Sequence, residues 1–561
     1  MKRNFDEHVK RHTVSLDGAW KFSTDKKLAG ESEKWYLCLP SKETVEVPSV
    51  WNEYSDLLEY EGVCWYEREF AFEGGTLRLE FGAVMTYAKV WLDGEYLGDH
   101  YGGFTQFDFI VPDVAAGKHR LTLSVDNRFD AHSIPQTKVD WYHYGGIIRG
   151  VSAERLCGAA ITSVRFEYEL SDDYKTAKCT PVLDIYGATA VADTFFAELD
   201  GKEYTSATIS VDQGEKKTVS LPSFTVEAPR LWSPESAELY TLSVYSSTDD
   251  LYDRVGFRKV GITPEGVSIN GVITELRGVN RHDEYPSFGF AFPPSRFKHD
   301  IELIENLGCN TVRGSHYPNP HQFVDYLDER GLLFWSEIPI WGCGFSEEAL
   351  GDPIVVERGL EMHREMVKYY YNHPSIILWG MHNEIHTDTQ NAYDMSKKYY
   401  EFLKENGGNR LVVYASHKPM VDICFEFCDL ICLNMYYGRY SGGLASWDRF
   451  ITDFAKRRDS LGFSHKPIVF SEFGAAALYG FHDAECPKWS EEYQAQLLRH
   501  CLTLFRERAE VVGSYVWQFC DIRTSSDMGY TRARGFNNKG IMNEWRRPKA
   551  SYYAVKDCYK R

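Results

Sequence analysis

The pattern of apolar and polar positions changes twice along the 561 residues. Up to about residue 158 it alternates with a period of two. Val63-Cys-Trp-Tyr-Glu-Arg-Glu-Phe70, Leu77-Arg-Leu-Glu-Phe81 and Ala88-Lys-Val-Trp-Leu92 each set an apolar face against a polar one. Turn pairs such as Asp93-Gly94 follow them. Short strands at regular spacing predict a jelly-roll β-sandwich over residues 1–158. Alternation continues from 159 to 262 in Ile161-Thr-Ser-Val-Arg-Phe-Glu-Tyr168 and Tyr240-Thr-Leu-Ser-Val-Tyr245, punctuated by Pro222, Pro229 and Pro234. A block of about 100 residues and about seven strands predicts an immunoglobulin-like β-sandwich. After Ile262 short apolar runs alternate with stretches of period 3.6, clearest over 296–306 and 357–370. Eight such runs, beginning near 275, 310, 332, 376, 411, 430, 468 and 512, predict a (β/α)8 TIM barrel over 263–561.

Two of these runs end in carboxylates. Pro374-Ser-Ile-Ile-Leu-Trp-Gly-Met-His-Asn-Glu-Ile385 passes from apolar to polar at His382-Asn383-Glu384, and Lys466-Pro-Ile-Val-Phe-Ser-Glu-Phe-Gly474 repeats this at Glu472. Asn383-Glu384 taken alone reads as a helix cap. The repetition puts two carboxylates at the catalytic rim, after barrel strands four and seven. Glycosidic bond cleavage needs such a pair: one proton donor with a raised pKa, one ionised nucleophile or base. Polar and aromatic residues recur at the other strand ends: Asn280-Arg-His-Asp283, Arg313-Gly-Ser-His316, Asn434-Met-Tyr-Tyr-Gly-Arg-Tyr440 and Trp517-Gln-Phe-Cys-Asp521. They suit a cleft that binds a polyol.

The net charge of −19 argues against nucleic acid or an anionic membrane as partner, and leaves recognition of an acidic sugar to local cations. Thirteen scattered cysteines form no disulfide framework and fit a reducing, cytoplasmic setting. Cys424, Cys428 and Cys432 straddle an apolar run and read as core thiols, not metal ligands. The mixed-charge opening Met1-Lys-Arg-Asn-Phe-Asp-Glu-His8 gives no expectation of a secretory leader. No run approaches the ~18 apolar residues of a membrane span.

Trp379-Gly-Met-His-Asn-Glu384 and Ser471-Glu-Phe-Gly474 together resemble the acid/base and nucleophile signatures of glycoside hydrolase family 2. Pro48-Ser-Val-Trp-Asn52 and Trp91-Leu-Asp-Gly-Glu-Tyr-Leu-Gly98 match its sugar-binding domain. The resemblance covers essentially the whole chain. It implies Glu384 as acid/base, Glu472 as nucleophile, and a carboxyl separation of about 5–5.5 Å for retention. Asp140-Trp-Tyr-His-Tyr-Gly-Gly-Ile148 is similar to a run in the β-glucuronidases of this family whose Asp hydrogen-bonds the sugar. Gly535-Phe-Asn-Asn-Lys-Gly-Ile541 resembles their Asn-x-Lys motif, which implies Asn537 and Lys539 as a clamp for a C6 carboxylate. Asn383 is implied to bind the 2-hydroxyl, and Tyr436 and Tyr440 to line the site. His316, Asn434, Trp517 and Arg532 complete the expected substrate-binding set, with His282 in contact or behind it.

Three departures stand out. The arginine that commonly lies four residues before the motif asparagine is Ala533 here, between Arg532 and Arg534, which leaves the guanidinium at the carboxylate open. Asn-Glu-Pro is Asn-Glu-Ile. Residues 341–350 lack the long insertion of some gut bacterial relatives, so an open cleft tolerant of bulky aglycones is expected. The resemblance implies a retaining β-glucuronidase acting on small-molecule conjugates or glycan ends, without cofactor or metal, and by analogy a homo-oligomer. Alternatives are a β-galacturonidase or mixed hexuronidase, then a β-galactosidase or an inactive carbohydrate-binding homologue.

Overall fold

The computed structural model describes residues 3–342, 345–525 and 531–560. Cys343 and Gly344, within the stretch expected to leave the cleft open, lie outside the described residues, as do Met1 and Lys2. In the N-terminal domain a four-stranded sheet (Thr13–Ser15, Val151–Leu156, Gly75–Phe81, Phe107–Val114) packs on a six-stranded one. The core between them holds Leu77, Leu79 and Phe81 from the first sheet and Trp20, Tyr66, Leu121 and Leu123 from the second. The polar alternates of the first sheet are not solvated. Arg78, Glu80 and Glu154 are buried, and Arg11 ties them to the next domain by donating to Glu154 (3.0 Å) and Asp249 (2.6 Å). Burying such charges is tolerable only because each is paired.

The second domain is a sandwich of two four-stranded sheets, eight strands where about seven were expected. The long strand Thr176–Gly187 pairs along one edge with both Lys216–Ser220 and Phe224–Glu227. Pro222 separates the two short strands, because proline has no N–H for the ladder.

The barrel does not begin directly after Ile262. A three-stranded antiparallel meander comes first (Val260–Thr263, Gly266–Ile269, Val272–Thr274). Its Val267 and Ile269 pack with Leu276, Leu333, Val469 and Tyr515 and close the apolar lower end. The eight parallel strands then form a closed ring in chain order: Leu276–Arg281, Thr311–Gly314, Leu333–Glu337, Ile376–Asn383, Leu411–Ser416, Ile431–Asn434, Ile468–Phe473 and Val511–Val516. Each predicted run is present. Several strands extend past their apolar part, so Glu337, Asn383 and Glu472 sit within strands, held by the ladder. Helix Pro353–Tyr370 starts four residues before the predicted 357, with Asp352 accepting from the backbone N–H of Ile354 and Val355. No helix among the described residues is long and apolar enough to cross a membrane.

The N-terminal domain reaches the barrel mouth through the chain around residues 139–148. Trp141, Tyr142, Tyr144 and Ile148 pack against Phe290, Tyr317 and Ile522 of the barrel. Arg149 locks this contact, donating to the carbonyl of Pro318 at 2.7 Å.

Candidate active site

The carboxyl ends of the barrel strands surround a cavity of about 390 Å³. Its wall includes Asp140, His316, Glu384, Asn434, Tyr436, Tyr440, Glu472, Trp517, Arg532 and Lys539. Glu384 follows strand four with φ 55°, a left-handed conformation that costs a non-glycine residue energy and that recurs at functional sites. Its backbone N–H donates to the Ala415 carbonyl at 2.9 Å, and Asn434 Nδ2 donates to its Oε1 at 2.9 Å. Ser471 Oγ donates to Asn434 Oδ1 (2.7 Å), which fixes the orientation of that amide.

Glu472 is gripped by stronger donors. Arg313 Nη1 donates to Oε1 at 2.8 Å and Tyr436 Oη to Oε2 at 2.6 Å. Both favour the ionised form. Against them, burial first and the nearby Glu384 second push the Glu472 carboxyl up to about 8. The raised value therefore falls on the glutamate read as nucleophile. The paired donors single out Glu472 as the carboxyl best served when charged.

Arg313 organises this floor. Its Nη2 donates to Asn383 Oδ1 (2.7 Å), and Nη2 and Nε fork onto Glu337 at 2.8 and 3.0 Å. With Asn434 Nδ2 also on Asn383 Oδ1 (3.0 Å), the Asn383 amide presents a buried Nδ2 with no protein partner. His316 Nδ1 lies 2.8 Å from Glu337 Oε1, and burial holds the ring well below the usual histidine range. A neutral ring donating from Nδ1 leaves Nε2 free to accept from a hydroxyl. Trp517 stacks on His316 at 5.2 Å and has a buried, unpartnered Nε1. His282 lies behind these rings, its Nδ1 2.9 Å from Tyr317 Oη.

A cationic recess forms the opposite wall. Arg532 Nε and Nη2 each donate to an oxygen of Asp140 at 2.5 Å, Asn537 Nδ2 donates at 2.9 Å, and Lys539 Nζ lies 3.4 Å away. Lys539 Nζ also donates to Tyr440 Oη at 3.0 Å. Burial pushes the Asp140 carboxyl up, but Lys539 and then Arg532 outweigh it and hold it below the usual carboxylate range. The backbone turn that aims Lys539 inward demands glycine next, since a Cβ on Gly540 would lie 2.2 Å from the Asp521 nitrogen.

Residues 13–156 match the sugar binding domain of the glycosyl hydrolases family 2, residues 159–258 match the glycosyl hydrolases family 2, and residues 260–561 match its TIM barrel domain. The chain belongs to glycosyl hydrolase family 2. Among family 2 structures it is similar to the β-galacturonidase of Eisenbergiella tayi bound to galacturonate, at 32% identity and TM-score 0.92, covering 100% of this chain and 99% of that one. It is also similar to the β-glucuronidase of Ruminococcus gnavus in complex with D-glucaro-d-lactam, at 26% identity and TM-score 0.88 over 100% and 99%. A β-glucuronidase of Paenibacillus borealis is 27% identical over 96% of both chains.

Ten of the twelve residues expected at the site from sequence line this cavity, while Asn383 and Asn537 stand behind its wall, bonded to Arg313 and Asp140. Two details differ from expectation. Asp140 does not stand apart from the clamp but occupies it, because two buried cations draw the nearest carboxylate. At Ala533 the two flanking arginines diverge: Arg532 turns inward to Asp140, while Arg534 turns out to Glu544 at 3.2 Å. Sequence reading gave no role to Arg313 or Glu337, nor to Trp341 and His417 on the outer wall. Arg313 lay in view at the end of strand two, and a buried arginine there signals a carboxylate partner.

Proposed function

We propose that this family 2 protein is a retaining exo-glycosidase that hydrolyses β-D-glucuronides to glucuronate and aglycone. The observation that carries the reading is a carboxylate pair and a recess of Arg532, Asn537 and Lys539 facing one cavity. The first fits glycosidic cleavage and the second an anionic substituent on the same sugar. Glu472 attacks the anomeric carbon while Glu384 protonates the departing glycosidic oxygen, forming a glycosyl ester. Glu384 then removes a proton from water, which attacks the same carbon and releases Glu472. Arg313 and Tyr436 favour the ionised form of Glu472 that makes the attack. Asn383 and His316 offer a donor and an acceptor to ring hydroxyls, and the uronate displaces part of the Asp140 contact with Lys539. A reducing, cytoplasmic setting fits the twelve described cysteines, all free. A homo-oligomer is tested by light scattering.

A second reading has its own support. The Eisenbergiella tayi β-galacturonidases are 32% and 33% identical, against 25–27% for the β-glucuronidases compared here. The two substrates differ only at C4. The deciding experiment measures nitrophenol release from the β-glucuronide, β-galacturonide and β-galactoside, with Lys539→Ala alongside. Preference for the glucuronide, lost in the variant, supports the proposal. A galacturonide preference keeps the machinery and moves the C4 assignment. A galactoside preference indifferent to Lys539→Ala overturns the clamp. Proton NMR of the first-formed anomer tests retention.

A further inference from the structure

The motif Asn434-Met-Tyr-Tyr-Gly-Arg-Tyr440 contains a charged residue that the chemistry above does not use. Arg439 is partly buried on the loop that carries Tyr436 and Tyr440. Its guanidinium lies 4.6 Å from the ring centroid of Trp489 and 5.2 Å from that of Tyr440. Its Nε is buried without a hydrogen-bond partner, and among the described residues no carboxylate pairs with it. The fully buried arginines Arg281, Arg546, Arg313 and Arg410 of the barrel are by contrast paired or bonded: Arg281 and Arg546 to Asp300, Arg313 to Glu337, Arg410 to backbone carbonyls.

The surroundings show what this cation faces. Tyr440, against which it packs, accepts from Lys539, and both Arg532 and Asp140 lie close enough to act on it electrostatically. Arg439 thus stands behind Tyr440, outside the lining of the cavity, as a third cation near a single carboxylate in a chain of net charge −19. Asp140 offsets one of the two cations of the clamp, so Arg532 and Lys539 together leave a single net positive charge for an incoming uronate. A cation partly withdrawn from solvent and without a counter-charge is stabilised when an anion arrives to match it.

We infer that Arg439 is a specificity-determining residue: an unpaired cation, held between Tyr440 and Trp489, whose charge is matched when a substrate carboxylate enters beside Asp140. The inference rests on the reading of the recess as a uronate clamp. Arg439 acts on the carboxylate through space and through Tyr440, without touching the reacting atoms. Its effect belongs in binding, in discrimination against neutral sugars and in salt dependence, not in the chemical step.

The test compares the parent protein with Arg439→Gln, Arg439→Lys and Lys539→Ala, on 4-nitrophenyl β-glucuronide from 20 to 500 mM salt (roughly 20 to 4 Å of screening length). Free glucuronate serves as competitive inhibitor. Arg439→Gln should raise KM and the inhibition constant of glucuronate together, about three- to tenfold at low salt, the size of one partly screened charge interaction. It should flatten the salt dependence of KM and leave kcat within about twofold, an interaction equal in ground and transition states. Arg439→Lys should restore most of the loss. Unchanged KM and inhibition constant in Arg439→Gln overturn the inference. So does a loss that Arg439→Lys fails to rescue, because the guanidinium would then matter for stacking alone. Lys539→Ala separates the two levels: if it still binds glucuronate as tightly as the parent, the clamp reading fails whatever Arg439 does.

Discussion

At the scale of single residues, the donors on Glu472 decide how it works. Tyr436 Oη is one of two strong donors to a buried carboxylate. Tyr436→Phe removes a hydrogen bond to a charged group, about 1.5–3 kcal/mol, and should lower kcat roughly ten- to hundredfold with an unchanged circular dichroism spectrum. Glu472 must be ionised to attack, and its carboxyl is pushed up to about 8. The limb of kcat/KM that reports it should therefore rise about tenfold per pH unit below pH 8 and level off above, as a pH–rate profile will show. The same shift appears in stability. The unfolded carboxyl releases its proton near pH 4.5 and the folded one near 8, so the folded state binds the extra proton between those values and loses stability as pH rises through them. Glutamine does not titrate. The melting temperature of Glu472→Gln should therefore gain on that of the parent from pH 5 to pH 8 and then level off, read by differential scanning fluorimetry.

At the scale of elements, the barrel strands carry chemistry because they outrun their apolar stretches. Asn383 and Glu472 lie within strands whose neighbours hold them by backbone bonds, which places them better than a free loop would. Helix Pro353–Tyr370 pairs a side-chain cap from Asp352 with proline at its first position. Asp352→Ala leaves two N–H groups unsatisfied. It should cost about 1 kcal/mol and lower the barrel's unfolding transition by about 2 °C, with KM unchanged. At the start of strand four, Arg258 of the second domain donates to the carbonyls of Pro374, Ile376 and Asn409, all between 2.7 and 2.8 Å. It joins the sandwich to the barrel without any carboxylate.

At the scale of the molecule, the site is a product of two domains. Asp140 and Trp141 come from the N-terminal sandwich, while the carboxylate pair and the remaining clamp come from the barrel. A chain lacking residues 1–158 would expose the apolar contact around Phe290 and Tyr317 and lose the counter-charge of Arg532. Such a truncation should retain less than about 1% of the parent's kcat/KM for the glucuronide, a loss of roughly 3 kcal/mol or more, even where barrel circular dichroism persists.

Sequence alone determined the three-domain order, the eight barrel strands and the place of Glu384 and Glu472 at strand ends, because period and strand-end polarity are local properties of the chain. Asn537 and Lys539 were legible for a similar reason, as a short motif next to strand eight. Only the tertiary structure decided which arginine enters the recess, since Arg532 and Arg534 are equivalent by composition and differ in the direction of their backbone. It also decided that Asp140, nearly four hundred residues earlier in the chain, sits in the clamp, and that Arg313 forks between Glu337 and Glu472. Period and pattern specify which face of an element a side chain takes. Which charge it meets there depends on through-space distance and shared burial, and those exist only once the chain has folded.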